Sequence, residues 1–257
     1  MLSSIDHYVC AVSSVAAATE GMRKAGFHVV PGGVHPIGTE NALVPFADGA
    51  YMELVGFREP NASHRWWEKL QRGGGIVDVC CQTGDTAADV STFRKAGIPY
   101  TDARSLGRTR PDGFQLSFSV ANPSEDVGVV TFLVQDVTPR SERVPQETTH
   151  TNGVTGLQRV IIATDNAARI GKLYGDALGK PRRAIQRPDL GAEGVEITIG
   201  GAHRLEYLAP TGAGAIADWL KQRGPSPYAA VLTSNGQTGP LAVEGLNGAR
   251  LILARRD

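Results

Sequence analysis

The sequence has few cysteines and no long apolar run. Of its 257 residues only three are cysteines, and Cys80 and Cys81 are adjacent in an apolar segment. Three cysteines do not form a disulfide framework, so we expect a reduced, cytoplasmic protein. No run of about 18 apolar residues is present, and no basic stretch followed by an apolar one opens the chain. We therefore expect neither a membrane segment nor a signal peptide.

The chain also has no excess of charge of either sign. It carries 26 basic and 26 acidic residues, whereas proteins that bind nucleic acid through its phosphates usually carry a basic surplus. The glycine run at 73–75 precedes a predicted strand and does not open a helix, so it is no phosphate loop. A nucleophile elbow is missing as well. We expect a small-molecule ligand, with no nucleic acid, membrane or nucleotide cofactor.

What the sequence does contain is a repeated segment. The word Arg-Lys-Ala-Gly occurs at 23–26 and again at 94–97, each time behind an apolar strand and a helix. A third copy begins near Leu157. His7 and Arg159 are 152 residues apart, and Glu53 and Glu206 are 153 apart, so one offset relates the first copy to the third. Repeats at a fixed spacing indicate a modular architecture.

Each module reads as a strand, a helix and further strands. In the first, strands are predicted at 5–12, 27–30, 41–46 and 50–57, with Pro-Gly-Gly at 31–33 ending the second strand and Asp-Gly at 48–49 forming a hairpin turn. Ser13 or Ser14 caps the helix. The second module has strands at 76–81, 113–120 and 127–136 and a helix at 84–96.

The modules predict two halves. The third module runs from 157 to 210, and strands at 228–233 and 250–254 form a fourth that has lost its helix. The polar segment 138–153 reads as a linker. We predict an α+β fold in which repeated βαβββ modules form cupped mixed sheets with helices outside. The N-terminal half would span 1–140 and the C-terminal half 150–257.

Two charged residues lie inside apolar strands. His7 and Glu53 would be costly to bury there without a partner. An imidazole and a carboxylate together suit a divalent metal such as Fe, Mn, Ni or Zn. A hydrogen bond between them, or exposure of both to solvent, explains the pattern equally.

Two other segments carry candidate ligand-binding groups. The segment 31–41 is rich in Gly and Pro and contains His35, Thr39 and Asn41, which would line a site or satisfy local backbone groups. The segment 107–113 contains Arg108 and Arg110 near a turn. These side chains would bind a carboxylate or phosphate, or lie in a solvated loop.

The chain combines five short motifs: Ile-Asp-His at 5–7, Pro-Gly-Gly at 31–33, Gly-Thr-Glu-Asn at 38–41, Tyr-Met-Glu-Leu at 51–54 and His-Thr-Asn-Gly at 150–153. In this combination the sequence resembles the glyoxalase-like domain group of the vicinal oxygen chelate superfamily, which includes bleomycin resistance proteins and extradiol dioxygenases. The resemblance implies paired modules around a cup that often holds a divalent metal. It places His7 and Glu53 at two ligand positions.

The resemblance also implies that the other ligand positions hold residues that bind a metal weakly or not at all. Asp78 matches His7 in the second module, and the counterpart of Glu53 is near Phe132. In the third module Arg159 stands where His7 stands in the first, while Glu206 is retained. No pairing of modules gives a full His/Glu set.

Three functions follow from the resemblance. The first is a metal-dependent isomerase, lyase or dioxygenase, with His7 and Glu53 as metal ligands, His35 as the acid–base group, and Thr39 and Asn41 orienting the substrate. The second is a metal-free protein that binds or sequesters a small oxygenated molecule, and the third is a structural or regulatory homologue. The edge strands suit a homodimer, although two halves in one chain would also serve as an internal dimer.

Overall fold

A computed structural model describes residues 1–179, 182–201 and 203–256. Its first two modules contain eight strands and three helices: β1 (Leu2–Ala11), α1 (Val15–Lys24), β2 (Val30–Val34), β3 (Thr39–Pro45), β4 (Tyr51–Phe57), α2 (Trp67–Gln71), β5 (Gly75–Thr83), α3 (Thr86–Lys95), β6 (Arg104–Thr109), β7 (Gln115–Ala121) and β8 (Phe132–Asp136). A short helix follows, α4 (Arg140–Arg143).

After α4, the described ranges contain seven strands, two α-helices and one 3₁₀-helix at Pro188–Leu190. In order these are β9 (Val154–Ala163), α5 (Ala167–Leu178), β10 (Arg183–Arg187), β11 (Ala192–Gly200), β12 (His203–Pro210), α6 (Ala215–Arg223), β13 (Ser226–Ser234), β14 (Gly239–Leu241) and β15 (Leu251–Ala254). Within the described ranges, every helix is too short or too polar to cross a lipid bilayer.

The strands form two curved sheets. The first is a closed barrel in the order β1-β4-β3-β2-β6-β7-β8-β5, and the second is an open sheet in the order β10-β11-β12-β9-β13-β15-β14. Both mix parallel and antiparallel pairs, so the predicted α+β fold of βαβββ modules with cupped mixed sheets is confirmed. The division of the chain into halves at 1–140 and 150–257 stays a prediction.

The pairing of strands repeats with the sequence. In the parallel pair β1–β4, Val9 lies opposite Glu53, and in the parallel pair β9–β12, Ile161 lies opposite Glu206. In β5–β8 the matching pair is Cys80 and Phe132. The residues two before these on β1, β9 and β5 are His7, Arg159 and Asp78, so the strand register agrees with the equivalences read from the sequence.

Helix ends follow from local chemistry. The Ser14 hydroxyl accepts a hydrogen bond from the Ala17 amide at the start of α1, and the Asp85 carboxylate accepts one from the Ala88 amide at the start of α3. The repeated Ala-Gly word ends both helices. Gly26 and Gly97 have φ of 84° and 86°, a left-handed conformation that favours glycine.

The prediction that Pro31 and the two glycines after it break the second strand is wrong. The strand β2 begins at Val30 and runs through all three residues to Val34. A Cβ on Gly32 would lie 2.0 Å from Oδ1 of Asn41, so the absence of a side chain makes room for that amide. Proline is tolerated because β2 forms a ladder with β3 and joins β6 through one pair only.

Two segments predicted as loops also carry regular structure. Residues 104–109 form strand β6, so Arg108 lies on a strand and only Arg110 belongs to the following turn. The predicted linker contains α4, whose last residue, Arg143, is buried. These two corrections place the buried guanidinium groups of Arg108 and Arg143 on a strand and a helix.

The two sheets share one core. The Tyr174 hydroxyl on α5 accepts a hydrogen bond of 2.8 Å from the Thr131 amide, and the Tyr207 hydroxyl on β12 donates one of 3.0 Å to the Val129 carbonyl. Both tyrosines are fully buried. The second sheet therefore packs against the outside of the barrel and leaves the barrel interior open.

Candidate ligand-binding site

A cavity occupies the interior of the barrel. Strand residues that line it are spaced two apart, as expected for one face of each strand: Thr39 and Asn41, Tyr51 and Glu53, Leu106 and Arg108, Phe118 and Val120, Phe132 and Val134. It offers about 100 Å³ to the centres of water-sized molecules. One water needs about 10–15 Å³ on that measure, so a small metabolite fits.

His7 and Glu53 meet in this cavity. Nε2 of His7 lies 3.4 Å from Oε2 of Glu53. On its other side, Nδ1 of His7 lies 2.6 Å from Oδ1 of Asp6, which assigns the ring proton to Nδ1 and turns Nε2 toward the cavity. The Tyr51 ring stacks on the imidazole with centroids 4.6 Å apart. The imidazole is therefore held in one orientation between two carboxylates.

Asp6 is held in place by arginines from the segment after the barrel. Nη1 and Nη2 of Arg143 donate to its two oxygens at 2.9 and 2.8 Å, and Arg140 also bonds it. Burial alone would raise the pKa of Asp6, but the charge and hydrogen bonds of Arg143, with a contribution from His7, hold that pKa well below its usual range. The carboxylate behind His7 is therefore ionised.

Arg108 is a buried cation that lines the same cavity as His7 and Glu53. Its Nη1 donates to Oδ1 of Asn41 at 3.2 Å and its Nη2 to the Arg143 carbonyl at 3.1 Å. Asn41 in turn donates from Nδ2 to Oε1 of Glu53 at 2.5 Å. Arg108 is 5% exposed, and within the described ranges no carboxylate lies at ion-pair distance from it. Its charge faces the cavity with neutral partners only.

The remaining predicted site residues divide between the cavity and the surface. His35 lines the cavity, with Nδ1 3.0 Å from the Thr39 hydroxyl, and its burial lowers its pKa. Arg110 lies in the β6–β7 turn, outside the cavity, and pairs with Asp112 and Glu142. Of the seven residues proposed from the sequence, the structure thus brings six around one cavity and leaves Arg110 apart.

Several lining residues were not predicted. Arg65 and Trp66 precede α2 and contact the carboxylate of Asp78, Arg65 Nη2 and Trp66 Nε1 each at 2.7 Å from Oδ2. Arg104 stands exposed at the rim, and Arg143 reaches in from α4. The sequence carries no recognisable signal for the three arginines, because none of them lies in an apolar repeat.

The donors present do not fit a resident divalent metal. The 3.4 Å between His7 and Glu53 suits two ligands of one ion, but catalytic zinc and non-haem iron sites use three protein ligands. In the described part of the chain, the one group of three potential ligands is Asp6, His7 and Cys80. There Asp6 is engaged by arginines, and burial keeps the Cys80 thiol protonated by raising its pKa.

The equivalent positions in the second module explain the missing ligands. Asp78 corresponds to His7, but its oxygens are taken by Arg65, Trp66 and the Val79 amide. Phe132 corresponds to Glu53 and offers no donor atom. These two positions of the second module therefore hold an ion pair and an aromatic ring.

Comparison with known proteins shows the fold first. A hypothetical protein from Staphylococcus aureus superposes with a TM-score of 0.72 at 12% identity, covering 98% of this chain and 99% of its own. A mutant of 4-hydroxymandelate synthase from Streptomyces coelicolor superposes with a TM-score of 0.63 at 15% identity, covering 91% and 71%. At these identities the likeness concerns the fold alone.

Sequence comparison shows the family. No match was found among the curated proteins. A family described as the glyoxalase-like domain matches residues 5–178, which is more than half of the chain and includes all of the barrel except the first three residues of β1. The chain belongs to the glyoxalase-like domain family.

Proposed function

We propose that the barrel cavity binds a small oxygenated metabolite that carries a carboxylate or a similar anionic group, and that it does so without a resident metal. The observation that supports this most directly is Arg108. A guanidinium that is 5% exposed and has only amide and carbonyl partners is costly to bury. An anionic ligand group would supply the missing charge through a bidentate contact.

The rest of the cavity suits the body of such a ligand. Leu106, Phe118 and Phe132 form an apolar wall, and the Trp66 ring lies 6.0 Å from that of Phe132. Thr39 and Asn41 present a hydroxyl and an amide to the same cavity, and Asn41 contacts Arg108. Ligand sites commonly combine a mostly apolar lining with a few converging polar groups. The ligand would thus place its anionic oxygens at Arg108 and its apolar part against the aromatic rings.

A second candidate function, an isomerase or lyase, is favoured by the alignment of Asp6, His7 and Glu53. Glu53 Oε2 would take a proton from a carbon next to the ligand carbonyl, and His7 Nε2 beside it would receive or return that proton. Arg108 and Asn41 would stabilise the oxygen on which negative charge develops. Asp6 stays ionised behind the imidazole and would stabilise its charged form.

The binding proposal is tested by comparing two arginines on adjacent parts of one hairpin. Isothermal titration with a panel of small carboxylates should identify a ligand for the wild type. We expect Arg108→Met to weaken binding roughly 10–100-fold, since a charged hydrogen bond contributes about 1.5–3 kcal/mol. Arg110→Met, which removes the same charge outside the cavity, should leave affinity unchanged. Equal effects of the two substitutions would refute the anchor role of Arg108.

Metal analysis tests the other part of the proposal. We expect ligand binding to survive treatment with a chelator. Stoichiometric metal in the purified protein that disappears in His7→Ala, together with lost binding after chelation, would instead favour a metal-dependent enzyme.

A further inference from the structure

A second cavity lies where the two sheets meet, on the opposite side of Arg65 from the barrel interior. We call it the junction cavity; it is bordered by α2, the start of β5 and α6. It offers about 310 Å³ to the centres of water-sized molecules. Four cations line it: Arg65, Lys69, Arg72 and Arg223.

The positive charge of this cavity is only partly neutralised. Arg72 pairs with Glu68 on the exposed side of α2, at 2.5 Å. Arg223 donates from Nη1 to the Gly74 carbonyl at 2.8 Å, which satisfies a hydrogen bond but not a charge. Lys69 has neither an ion pair nor a hydrogen bond to any residue in the described ranges. Arg65 is paired with Asp78 on its barrel side, so within the described ranges Lys69 and Arg223 are the two cations of this cavity without a carboxylate partner.

Lys69 is the least compensated of these cations. Its partial burial lowers its pKa; the charge of Asp78 offsets this in part, and the charges of Arg65 and Arg72 add to it. A lowered lysine pKa means that the surroundings disfavour the charged ammonium. An anion beside Lys69 would remove that penalty.

The backbone around the cavity makes room for the basic side chains. A Cβ on Gly73 would lie 3.0 Å from Nη2 of Arg223, and one on Gly128 would lie 3.4 Å from Nζ of Lys69. Both glycines have positive φ, 107° and 83°. The two cations thus approach the main chain where a glycine both permits the conformation and keeps the space clear.

We propose that the junction cavity is an anion-binding site that takes a phosphate group between Lys69, Arg72 and Arg223. A phosphate suits it because several cations converge there and because phosphate offers oxygens to each of them. The Trp219 ring closes one side, with the Arg223 guanidinium 5.1 Å from its centroid. The site is separate from the barrel cavity, although Arg65 borders both.

The test is calorimetric titration with inorganic phosphate, at an ionic strength held constant with sodium chloride. We expect one phosphate per chain. Lys69→Gln should weaken binding at least about tenfold, the effect of losing roughly 1.4 kcal/mol, and Arg72→Gln should weaken it as well. Lys221→Gln removes the same charge from an exposed position on α6 and should leave binding unchanged.

A further variant distinguishes the two cavities. Arg108→Met should leave phosphate binding intact, because Arg108 lines only the barrel. No phosphate binding in the wild type, equal binding by wild type and Lys69→Gln, or loss of binding in Arg108→Met would each overturn the proposal. Circular dichroism of every variant shows whether a loss reflects unfolding, and Arg72, exposed on α2, supplies a variant that does not disturb the core.

Discussion

The two sheets use equivalent positions in opposite ways. In the barrel, His7 and Glu53 face an open cavity, and the closest approach between them is 3.4 Å. In the open sheet, Nε of Arg159 lies 2.9 Å from Oε1 of Glu206, and Arg187 binds Oε2 of the same carboxylate at 2.8 Å. The retained glutamate is thus available to a ligand in one sheet and neutralised by two arginines in the other.

Strand number explains why only one sheet encloses a site. Two complete modules close the barrel, whereas the fourth module contributes just β13, β14 and β15 and leaves β10 and β14 as edges. In the open sheet Glu206 is as buried as Glu53, at 5% against 7% exposed, and an ion pair with Arg159 and Arg187 takes the place that the cavity has in the barrel.

The largest expected effect comes from removing the buried carboxylate of the barrel. Asp6→Ala leaves Arg143, which is 5% exposed, with Asp136 as its remaining charged partner, and we expect a loss of about 3–5 kcal/mol in the free energy of unfolding. Glu206→Ala leaves Arg159 and Arg187, whose side chains are 20% and 23% exposed, and should cost about 1 kcal/mol. Urea unfolding measures both.

Asp6→Asn serves as the control for side-chain size. It keeps the volume and one carbonyl oxygen but removes the charge, so we expect most of the loss to remain. Equal destabilisation by Asp6→Ala and Glu206→Ala would contradict the difference drawn between the two sheets.

A smaller effect is expected on ligand binding when the arginine–glutamate pair of the open sheet is introduced into the barrel at positions 7 and 53. In His7→Arg the new guanidinium should pair with Glu53, as Arg159 pairs with Glu206, and fill the cavity. We expect affinity for the cavity ligand to fall roughly 100-fold, about 2.7 kcal/mol, by titration calorimetry. The reciprocal Arg159→His should leave that affinity unchanged. Retained binding in His7→Arg would mean that the ligand does not use the space between positions 7 and 53.

The smallest expected effect is a dependence of stability on pH that originates in His64, which lines the barrel cavity from the segment before α2. Burial, reinforced by Arg65, lowers the pKa of His64 from 6.5 to about 4. The unfolded chain therefore binds that proton first, so this contribution to stability is complete above about pH 6.5 and declines as the pH falls toward 4. His35 shifts in the same direction, whereas Asp6, with its lowered pKa, remains ionised across this window.

Thermal unfolding between pH 7.5 and 4.5 measures this dependence. We expect His64→Asn to flatten the fall in the midpoint temperature relative to the wild type. An unchanged slope would show that the His64 environment does not favour the neutral ring.

Alternation along strands accounts for what the sequence could predict. A charged residue inside an apolar strand drew attention to His7 and Glu53, and both line the cavity. Strand β6 lacks that contrast, because Leu106 is its only large apolar residue. With the strand unrecognised, alternation could not separate Arg108, which points inward, from Arg110 in the turn.

Other parts of the site depend on the tertiary fold. Arg143 lies in a polar, proline-containing stretch, and nothing local indicates that it would be buried beside Asp6. Nothing in the sequence indicates that Arg65 and Trp66 contact the carboxylate of Asp78, which is more than ten residues away along the chain. These contacts form because the fold brings distant segments of the chain together. A single sequence does not show which segments will meet.

The barrel has two seams of very different extent. Along β1 and β5 the first two modules share eight residue pairs, whereas β2 and β6 meet only through Val34 and Thr109. The β1–β5 junction therefore joins the two modules along most of a strand, whereas the β2–β6 junction joins them at one point. Breaking the one pair between β2 and β6 would let the two modules separate on that side while β1 and β5 stay paired. A molecule would then reach the barrel interior without unfolding of the barrel.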